Sequence, residues 1–326
     1  MCASDYYAKQ LDYVNALELS PCYSVAMKEI GTENPQAFSY QVLLFYKYVD
    51  VERPDELAAR VRMLAAELSL TGRAIVAEEG INATLEGATE NTEEFVTRFF
   101  VDERFADVQV KRSKGTGRSF PSLSVKVRNE IVGTGFSEEE ADPRVRTAPR
   151  ISPEELRAWY EEQKDFVIID MRNNYEFASG HFKNAIEPGI SASRHLPLAL
   201  EKLAPLKEKQ VVTVCTGGIR CEKMAAYLQH KGFKNVRQLD GGIHTYMEKY
   251  PGKDFLGTLY TFDQRVTMDF GGEREVIGKC RLCGASSERY ADCAEKTCHL
   301  HFIACDSCRD PEGNVYCSEE CAMALV

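Results

Sequence analysis

The distribution of cysteine constrains this chain more than any other feature of its sequence. Eight of its twelve cysteines fall between positions 280 and 321, whereas residues 1–279 hold only four. The eight form four closely spaced pairs: Cys280-x2-Cys283, Cys293-x4-Cys298, Cys305-x2-Cys308 and Cys317-x3-Cys321. Four such pairs are enough for two tetrahedral zinc sites. A tail as short as residues 280–326 has little apolar volume, so a metal or a crosslink is expected to hold it together.

We predict that the pairs interleave along the tail and form two zinc sites. The two ligand sets are then Cys280, Cys283, Cys305 and Cys308, and Cys293, Cys298, Cys317 and Cys321. Other pairings of the cysteines, and replacement of one cysteine by His299 or His301, are alternatives. The N-terminus lacks a basic start followed by an apolar core, so a reducing cytoplasm is expected, where clustered cysteines more often bind metal. Reduced or disulfide-linked cysteines would also give a compact module.

The rest of the composition is that of an ordinary globular protein. With 326 residues, of which 44% are hydrophobic and 28% charged, two or three domains are expected and a wholly disordered chain is excluded. No run of residues approaches the length of a membrane span. The net charge of −10 disfavours non-specific nucleic-acid binding by the whole surface, although it leaves room for a local basic patch.

The N-terminal third predicts an α+β domain. Residues 1–36 read as a leader helix and linker, and residues 37–136 alternate between strand and helix patterns. The predicted strands and helices are β 38–49, α 54–70 ended by Gly72, β 74–78, β 81–85, α 89–100, β 108–112 and β 123–127. The first six of these elements have the β-α-β-β-α-β order that is typical of a ferredoxin-like fold.

A basic segment within this domain contrasts with the acidic chain. Between positions 108 and 128 there are no acidic residues and six basic ones: Lys111, Arg112, Lys114, Arg118, Lys126 and Arg128. Gly115 and Gly117 in its middle predict a flexible loop. Two interpretations remain open, a loop that contacts RNA phosphates and a solvated basic hairpin without a ligand.

A second domain is expected over residues 151–250. The charged, proline-containing residues 137–150 are predicted to be a linker with little to bury. Beyond it, strands at 166–170, 211–214 and 236–239 alternate with helices, one of them at 222–230, which indicates a parallel α/β sheet. Residues 251–279 are expected to form a connecting arm to the cysteine-rich module at 280–326.

The segment that carries chemistry connects one of these strands to the next helix: Cys215-Thr216-Gly217-Gly218-Ile219-Arg220-Cys221. A cysteine at the carboxyl edge of a parallel sheet is close to a helix N-terminus, which favours the thiolate. The two glycines allow the backbone N–H groups of residues 216–219 to form an anion cradle, beside which Arg220 adds a cation. We predict Cys215, Arg220 and Cys221 as catalytic residues, against a buried structural cysteine as the alternative for Cys215. Cys221 is either a resolving thiol or a small packing residue.

The loop resembles the active-site loop of rhodanese domains, which has the form Cys-x-x-Gly-x-Arg. The resemblance extends to the segment from Asp170 to His181 and to Asp240-Gly241-Gly242-Ile243-His244. These outer motifs are mainly structural in rhodanese domains, so Asp170 and His181 are expected to be scaffold residues.

Further motifs resemble the rhodanese-domain tRNA uridine(34) hydroxylase family over roughly residues 37–326. They are, in order, Glu79-Gly80-Ile81-Asn82-Ala83-Thr84, Phe120-Pro121, Lys126-Val127-Arg128-Asn129-Glu130-Ile131-Val132, the cysteine loop and Phe262-Asp263-Gln264-Arg265. Many members have glycine where Ala83 stands. The resemblance implies a cytoplasmic oxidoreductase that uses molecular oxygen to convert the wobble uridine of tRNA to 5-hydroxyuridine, that depends on the loop cysteine, and whose partner is the tRNA anticodon arm.

The residues by themselves allow more than one reaction. A thiolate on Cys215 can add to C6 of uridine and make C5 electron-rich, whereas a persulfide on the same cysteine is a competing scheme. The loop alone equally supports a sulfurtransferase, and its intact Cys215–Arg220 spacing disfavours a non-catalytic binding module. No flavin, haem or nicotinamide signature is present. The basic segment favours the tRNA enzyme, because a simple sulfurtransferase does not need it.

Overall fold

A computed structural model describes residues 39–323 of the chain. The predicted leader at 1–36 lies outside the described residues, as do Cys2 and Cys22. The first part of the chain contains β1 (Tyr40–Tyr48), α1 (Pro54–Glu67), β2 (Thr71–Ala77), β3 (Gly80–Ala88), α2 (Thr89–Phe99), β4 (Lys111–Lys114), β5 (Leu123–Val127) and α3 (Glu138–Ala141).

The N-terminal domain has the predicted ferredoxin-like arrangement. Its sheet has the strand order β4-β1-β3-β2-β5, in which β1, β2, β3 and β4 form antiparallel pairs and β5 is parallel to β2. Side chains alternate between the two faces of a strand. Leu43 and Phe45 of β1 therefore enter the core beneath the two helices, while Leu44 and Tyr46 point to the opposite face, away from those helices.

Two predicted boundaries in this domain were wrong. Helix α1 ends at Glu67, and Gly72 lies inside β2 and does not stop the helix. A Cβ on Gly72 would stand 2.2 Å from the carbonyl oxygen of Thr84. Glycine is therefore needed here because the backbone of β3 lies too close for a side chain. The strand expected at 108–112 begins only at Lys111. It is preceded by a short helical turn at Glu103–Phe105.

The second domain contains the predicted parallel α/β sheet. Its elements are β6 (Arg150–Ile151), α4 (Pro153–Glu161), β7 (Val167–Asp170), α5 (Asn174–Ser179), β8 (Gly180–Phe182), α6 (Leu196–Leu203), β9 (Gln210–Val214), α7 (Ile219–His230), β10 (Asn235–Leu239) and α8 (Gly242–Lys249). The sheet has the strand order β6-β10-β9-β7, with all neighbours parallel. Together with the first domain and the tail, this makes the fold a multidomain α+β and α/β protein, as predicted.

The connection at residues 137–150 is packed against the second domain, contrary to the expected linker. Ser137 and Glu140 form a capping box at the start of α3, and Ala141 is buried. Just before this helix, the ring of Phe136 stacks on Tyr227 of α7, with the ring centres 4.1 Å apart. The many charged residues of this segment suggested a linker, but they form ion pairs with residues of both domains.

The last part of the chain is short-stranded. It contains β11 (Phe255–Gly257), β12 (Leu259–Tyr260), β13 (Thr267–Met268), β14 (Tyr290–Asp292), β15 (His301–Ile303) and α9 (Glu319–Met323). Strand β11 pairs with β8 of the second domain. The tail itself has only a small buried cluster around Phe302, Ala304 and Val315, which is consistent with a module that needs additional crosslinks.

Candidate active site

The predicted chemical loop lies at the carboxyl end of β9 and leads directly into α7. Cys215 is fully buried, and the backbone N–H of Gly218 donates a hydrogen bond to its Sγ over 3.2 Å. Gly218 has a φ of 101°, a conformation that favours glycine. The helix starts at Ile219 and not at the predicted position 222, so Arg220 and Cys221 belong to its first turn.

The surroundings of Cys215 favour the thiolate. Burial raises the pKa of its thiol, but hydrogen bonds and a nearby charge outweigh burial and lower the pKa to about 6. The largest of these lowering contributions is the side-chain hydrogen bond from Cys221, followed by the positive charge of Arg220. A group with this pKa is largely ionised at neutral pH and is a competent nucleophile.

Cys221 lies beside Cys215 in the first turn of α7 and is also buried. Burial and the neighbouring Cys215 thiol hold the pKa of Cys221 well above its ordinary value. The two cysteines therefore differ in protonation state: Cys221 keeps its proton and donates it in a hydrogen bond to the anionic sulfur.

Arg220 is fixed by a buried partner, Glu176, which lies in the motif that was expected to be mainly structural. Its guanidinium makes two hydrogen bonds to the carboxylate of Glu176 on α5, at 2.6 and 2.8 Å, and Glu176 is fully buried. Nη2 also donates to Oγ1 of Thr216 over 3.1 Å. The spacing Cys-x4-Arg signals the arginine, but only the fold brings Glu176 from 44 residues away.

The N-terminal domain covers the loop with the open face of its sheet. A Cβ on Gly217 would stand 2.9 Å from Cδ2 of Leu44, and a Cβ on Gly218 would stand 2.8 Å from the hydroxyl oxygen of Tyr46. The two glycines therefore also leave room for Leu44 and Tyr46, whose side chains would have to shift if either glycine carried a Cβ.

The motif at residues 240–244 supports the loop from behind. The backbone N–H groups of Ile243 and His244 donate to the carbonyl oxygens of Cys215 and Thr216, at 2.9 and 3.0 Å. A Cβ on Gly242 would stand 2.6 Å from the nitrogen of Gly218. The start of α8 thus fixes the backbone of the loop.

The scaffold prediction for the upstream motif agrees with where its residues lie. Asp170 and Arg172 form a fully buried ion pair with an N–O distance of 2.7 Å, and His181 stacks on Phe177 at a ring distance of 3.9 Å. Neither Asp170 nor His181 hydrogen-bonds to the cysteine loop.

A cavity of about 90 Å³ adjoins the loop where the sheet face, the loop and the chain after β12 meet. Its walls include Thr216 of the loop, His244 of α8, Lys111 of β4, and Phe262 and Arg265. Phe262 is about half exposed, so the cavity reaches the surface there. The sequence identifies Phe262 and Arg265 only as members of a family motif and does not indicate that they line a cavity.

The structure separates the six residues of the predicted basic patch. Lys111 is buried and lines the cavity beside the loop, whereas Arg112 forms a surface ion pair with Glu93 of α2. The other four, Lys114, Arg118, Lys126 and Arg128, are exposed. A segment that contains no acidic residues thus still has acidic neighbours in the folded protein, because other elements supply them.

The expectation of a flexible loop around Gly115 and Gly117 was wrong. The buried carboxylate of Glu86 accepts hydrogen bonds from the backbone N–H groups of residues 116, 117 and 119, at 2.7, 3.0 and 2.7 Å. It also accepts one from the hydroxyl of Ser119. These N–H groups are therefore occupied by the protein itself, and any contact with phosphate falls to the exposed basic side chains.

The eight tail cysteines form two groups of four, with the membership that the interleaved arrangement predicts. In each group all four sulfur atoms lie within 4.8 Å of one another: Cys280, Cys283, Cys305 and Cys308, and Cys293, Cys298, Cys317 and Cys321. Four zinc–sulfur bonds of about 2.3 Å in a tetrahedron separate the sulfurs by about 3.8 Å. Both groups therefore have the donor set and the spacing to bind a metal such as zinc.

Neither tail histidine belongs to the two groups of four sulfur atoms, and His301 has other partners in the described structure. Nδ1 of His301 lies 2.7 Å from a carboxylate oxygen of Asp292, and Nε2 lies 3.1 Å from the hydroxyl of Tyr260. The tail also docks on α5, because the hydroxyl of Tyr290 donates to the carbonyl oxygen of Tyr175 over 2.5 Å. It thereby supports the helix that carries Glu176.

Within residues 39–323, none of the helices is long and apolar enough to cross a membrane. Three family models match the chain: the UPF0176 acylphosphatase like domain at residues 40–131, the Rhodanese-like domain at 152–249 and the Rhodanase C-terminal model at 256–322.

Among curated proteins, the chain is similar to the tRNA uridine(34) hydroxylase of Staphylococcus haemolyticus. The two are 41% identical over 287 residues, which cover 87% of this chain and 89% of the relative. A protein of the same name from Bacillus velezensis is 38% identical over 298 residues, with coverages of 86% and 91%. The similarity thus spans both domains and the cysteine-rich tail.

The environment of Cys215 predicts how its alkylation depends on pH. Because the thiolate reacts and its pKa is about 6, modification by iodoacetamide should accelerate as the pH rises through that value and level off above it. Cys221→Ala removes the largest lowering contribution and should move the midpoint to higher pH. Mass spectrometry of the peptide that contains Cys215 measures this, with Cys215→Ser as the blank. A wild-type midpoint near that of a free thiol would contradict the prediction.

The two cysteine groups predict a metal content of two zinc ions per chain. Cys308→Ser should lose one of them, because it removes a ligand from one group and leaves the other intact. Cys221→Ser, a change outside both groups, is the matched control and should keep both ions. Elemental analysis of the purified full-length variants gives the stoichiometry, and a wild-type protein free of zinc after expression in zinc-supplemented medium would speak against both sites.

Proposed function

The chain belongs to the tRNA uridine(34) hydroxylase family, and from this premise we propose that it hydroxylates the wobble uridine of tRNA at C5, with Cys215 as the nucleophile. The observation that carries the proposal is the buried cysteine whose thiolate is stabilised by Gly218, Cys221 and Arg220. A nucleophile of this kind suits an electrophilic ring carbon.

The first step of the reaction is addition of the thiolate to C6 of the uracil ring. The sulfur lone pair forms the S–C6 bond, and the π electrons of the C5–C6 double bond move towards C5 and the O4 oxygen. The product is an enolate that is nucleophilic at C5. No electrons are gained or lost in this step, and Arg220 serves by keeping the sulfur anionic.

Molecular oxygen is the co-substrate that reacts at C5. One oxygen atom enters the base and the other leaves as water, so the conversion consumes two protons and two electrons in addition to oxygen. Loss of the C5 proton then restores the C5–C6 double bond, breaks the S–C6 bond and releases the Cys215 thiolate. We assign the electron supply to a reductant of the thiol class. Cys221 lies close enough to Cys215 to hydrogen-bond with it, which supports a disulfide between them as the oxidised state that such a reductant would return to the dithiol.

The exposed basic side chains of the N-terminal domain bind the anticodon arm. Lys114, Arg118, Lys126 and Arg128 remain available to phosphates, and the net charge of −10 for the whole chain discourages indiscriminate RNA binding. A wobble base lies in a single-stranded loop and can be splayed away from its neighbours. The two zinc sites have a structural role in this scheme, since their ligands lie in the tail and not in the cysteine loop.

Loss of the protein should remove 5-hydroxyuridine from tRNA. Nucleoside mass spectrometry of tRNA from a deletion strain measures the loss, and complementation with the wild-type chain should restore the modification while Cys215→Ala should not, because the variant lacks the nucleophile. Cys2→Ala, a cysteine outside the described residues, is the control for loss of a thiol as such. Disappearance of a thiolated base instead of 5-hydroxyuridine would reject hydroxylation in favour of a sulfurtransferase.

The addition step predicts a covalent complex with an RNA that carries 5-fluorouridine at position 34. Fluorine at C5 blocks completion of the reaction, so the S–C6 adduct should accumulate and migrate as a stable conjugate on a denaturing gel. Cys215→Ser should form none, while Cys221→Ser should still form it. Failure of an active wild-type enzyme to trap this RNA would exclude the addition step.

A further inference from the structure

Lys111 is a buried lysine without a charged partner. It is 6% exposed, and its ammonium group makes no hydrogen bond or ion pair with any residue between 39 and 323. Nζ of Lys111 lies over the aromatic ring of Tyr46, 5.7 Å from the ring centre. Burying an unpaired ammonium group is costly, so a functional reason for this lysine is required.

Strand register places Lys111 against the cysteine loop. Strand β4 pairs with β1 so that Lys111 stands opposite Leu44, and the two side chains therefore lie on the same face of the sheet. Leu44 approaches Gly217 of the loop. Burial lowers the pKa of Lys111, while the charges of Cys215, Asp240 and Glu248 act in the opposite direction.

His244 is a second buried group without a hydrogen-bond partner for its side chain. It is 4% exposed, and its Nδ1 atom is buried and unpaired in the described structure. Burial, and then the charges of Lys111 and Arg265, lower the pKa of His244 to about 3. The imidazole is therefore neutral at physiological pH and can accept a hydrogen bond.

Lys111 and His244 line the same cavity of about 90 Å³. Buried polar groups are normally hydrogen-bonded, so a donor and an acceptor left unpaired around one cavity indicate a ligand that pairs with both. Measured as the space open to the centre of a water-sized sphere, one water molecule needs about 10–15 Å³, so a cavity of about 90 Å³ is large enough to receive the edge of a small planar ring through the opening beside Phe262.

We propose that this cavity is the pocket for the target base and that Lys111 and His244 read the edge of uracil, Lys111 by donating to O4 and His244 by accepting from N3–H. This inference rests on the proposed function. Cytosine carries an amino donor at C4 and an acceptor at N3, so it would oppose both protein groups. Lys111 also stands where negative charge gathers when the thiolate adds at C6, and a donor in that place stabilises the developing anion.

Lys111→Met tests the role of the ammonium group in the full-length protein. Single-turnover formation of 5-hydroxyuridine on a tRNA with uridine at position 34 should fall about 100-fold, the usual loss for one donor to a developing anion. The Kd for that tRNA, which depends mainly on phosphate contacts, should change less than about threefold. The melting temperature should stay equal or rise, because an unpaired buried charge is removed.

Two further variants complete the series. His244→Phe keeps an aromatic ring beside Phe270 and should lower the rate about tenfold, the effect of a mispaired hydrogen bond. Lys249→Met is the matched control, since Lys249 lies on the same helix but is exposed and paired with Glu154, and its rate should match the wild type. An unchanged rate in Lys111→Met overturns the inference, and so does a lower rate accompanied by equal losses of melting temperature and tRNA affinity.

A readout independent of turnover separates the pocket from the proposed function. A tRNA with 4-thiouridine at position 34 carries a photoreactive sulfur in place of O4, and irradiation should crosslink it to the strand of Lys111, to the helix of His244 or to Phe262. Crosslinks on these segments in a protein that forms no 5-hydroxyuridine would reject hydroxylation and keep the pocket. Crosslinks mapped elsewhere, or none from a bound tRNA, overturn the inference whatever the activity.

Discussion

The buried ion pair between Arg220 and Glu176 organises the centre of this molecule. It joins the first turn of α7 to α5 and, through Thr216, to the cysteine loop. Removing one partner of such a pair leaves an uncompensated buried charge at a cost of about 3–5 kcal/mol, so the loop and the two helices keep their places together. The cysteine-rich tail also holds α5 in place, because Tyr290 binds the backbone of that helix.

The second constraint is the direct contact between the N-terminal domain and the second domain around the cysteine loop. Lys223 of α7 forms ion pairs with Glu79 and Glu130 of the N-terminal part, at 2.7 and 2.8 Å. The hydroxyl of Tyr46 donates to Glu222 over 3.2 Å. The N-terminal domain is thus more than a handle for RNA, since its sheet face forms one wall of the site and excludes water from Cys215.

The fate of the basic segment illustrates what a linear pattern leaves out. Six positive charges within positions 108–128 indicated a shared surface, yet β4 turns Lys111 inward, and α2 supplies Glu93 to Arg112. Glu86, from β3, ties down the glycine loop. Each of these corrections involves a partner far away in sequence, which composition within a window does not register. The roles assigned to the cysteines and basic residues stay predictions until the variants are measured.

The sequence by itself determined the local elements and the chemistry available at the loop. Strand periodicity, turn residues and the Cys-x4-Arg spacing depend on neighbouring residues only, and the ferredoxin-like and parallel α/β domains followed from them. The spacing of the tail cysteines likewise marks four pairs, whereas their combination into two groups of four is a property of the tertiary structure. Only the tertiary structure decided which charges are compensated and which are not, because pairing depends on distances between elements. That is why the pairing of Arg220 with Glu176 and the unpaired burial of Lys111 beside the cysteine loop depend on the tertiary structure.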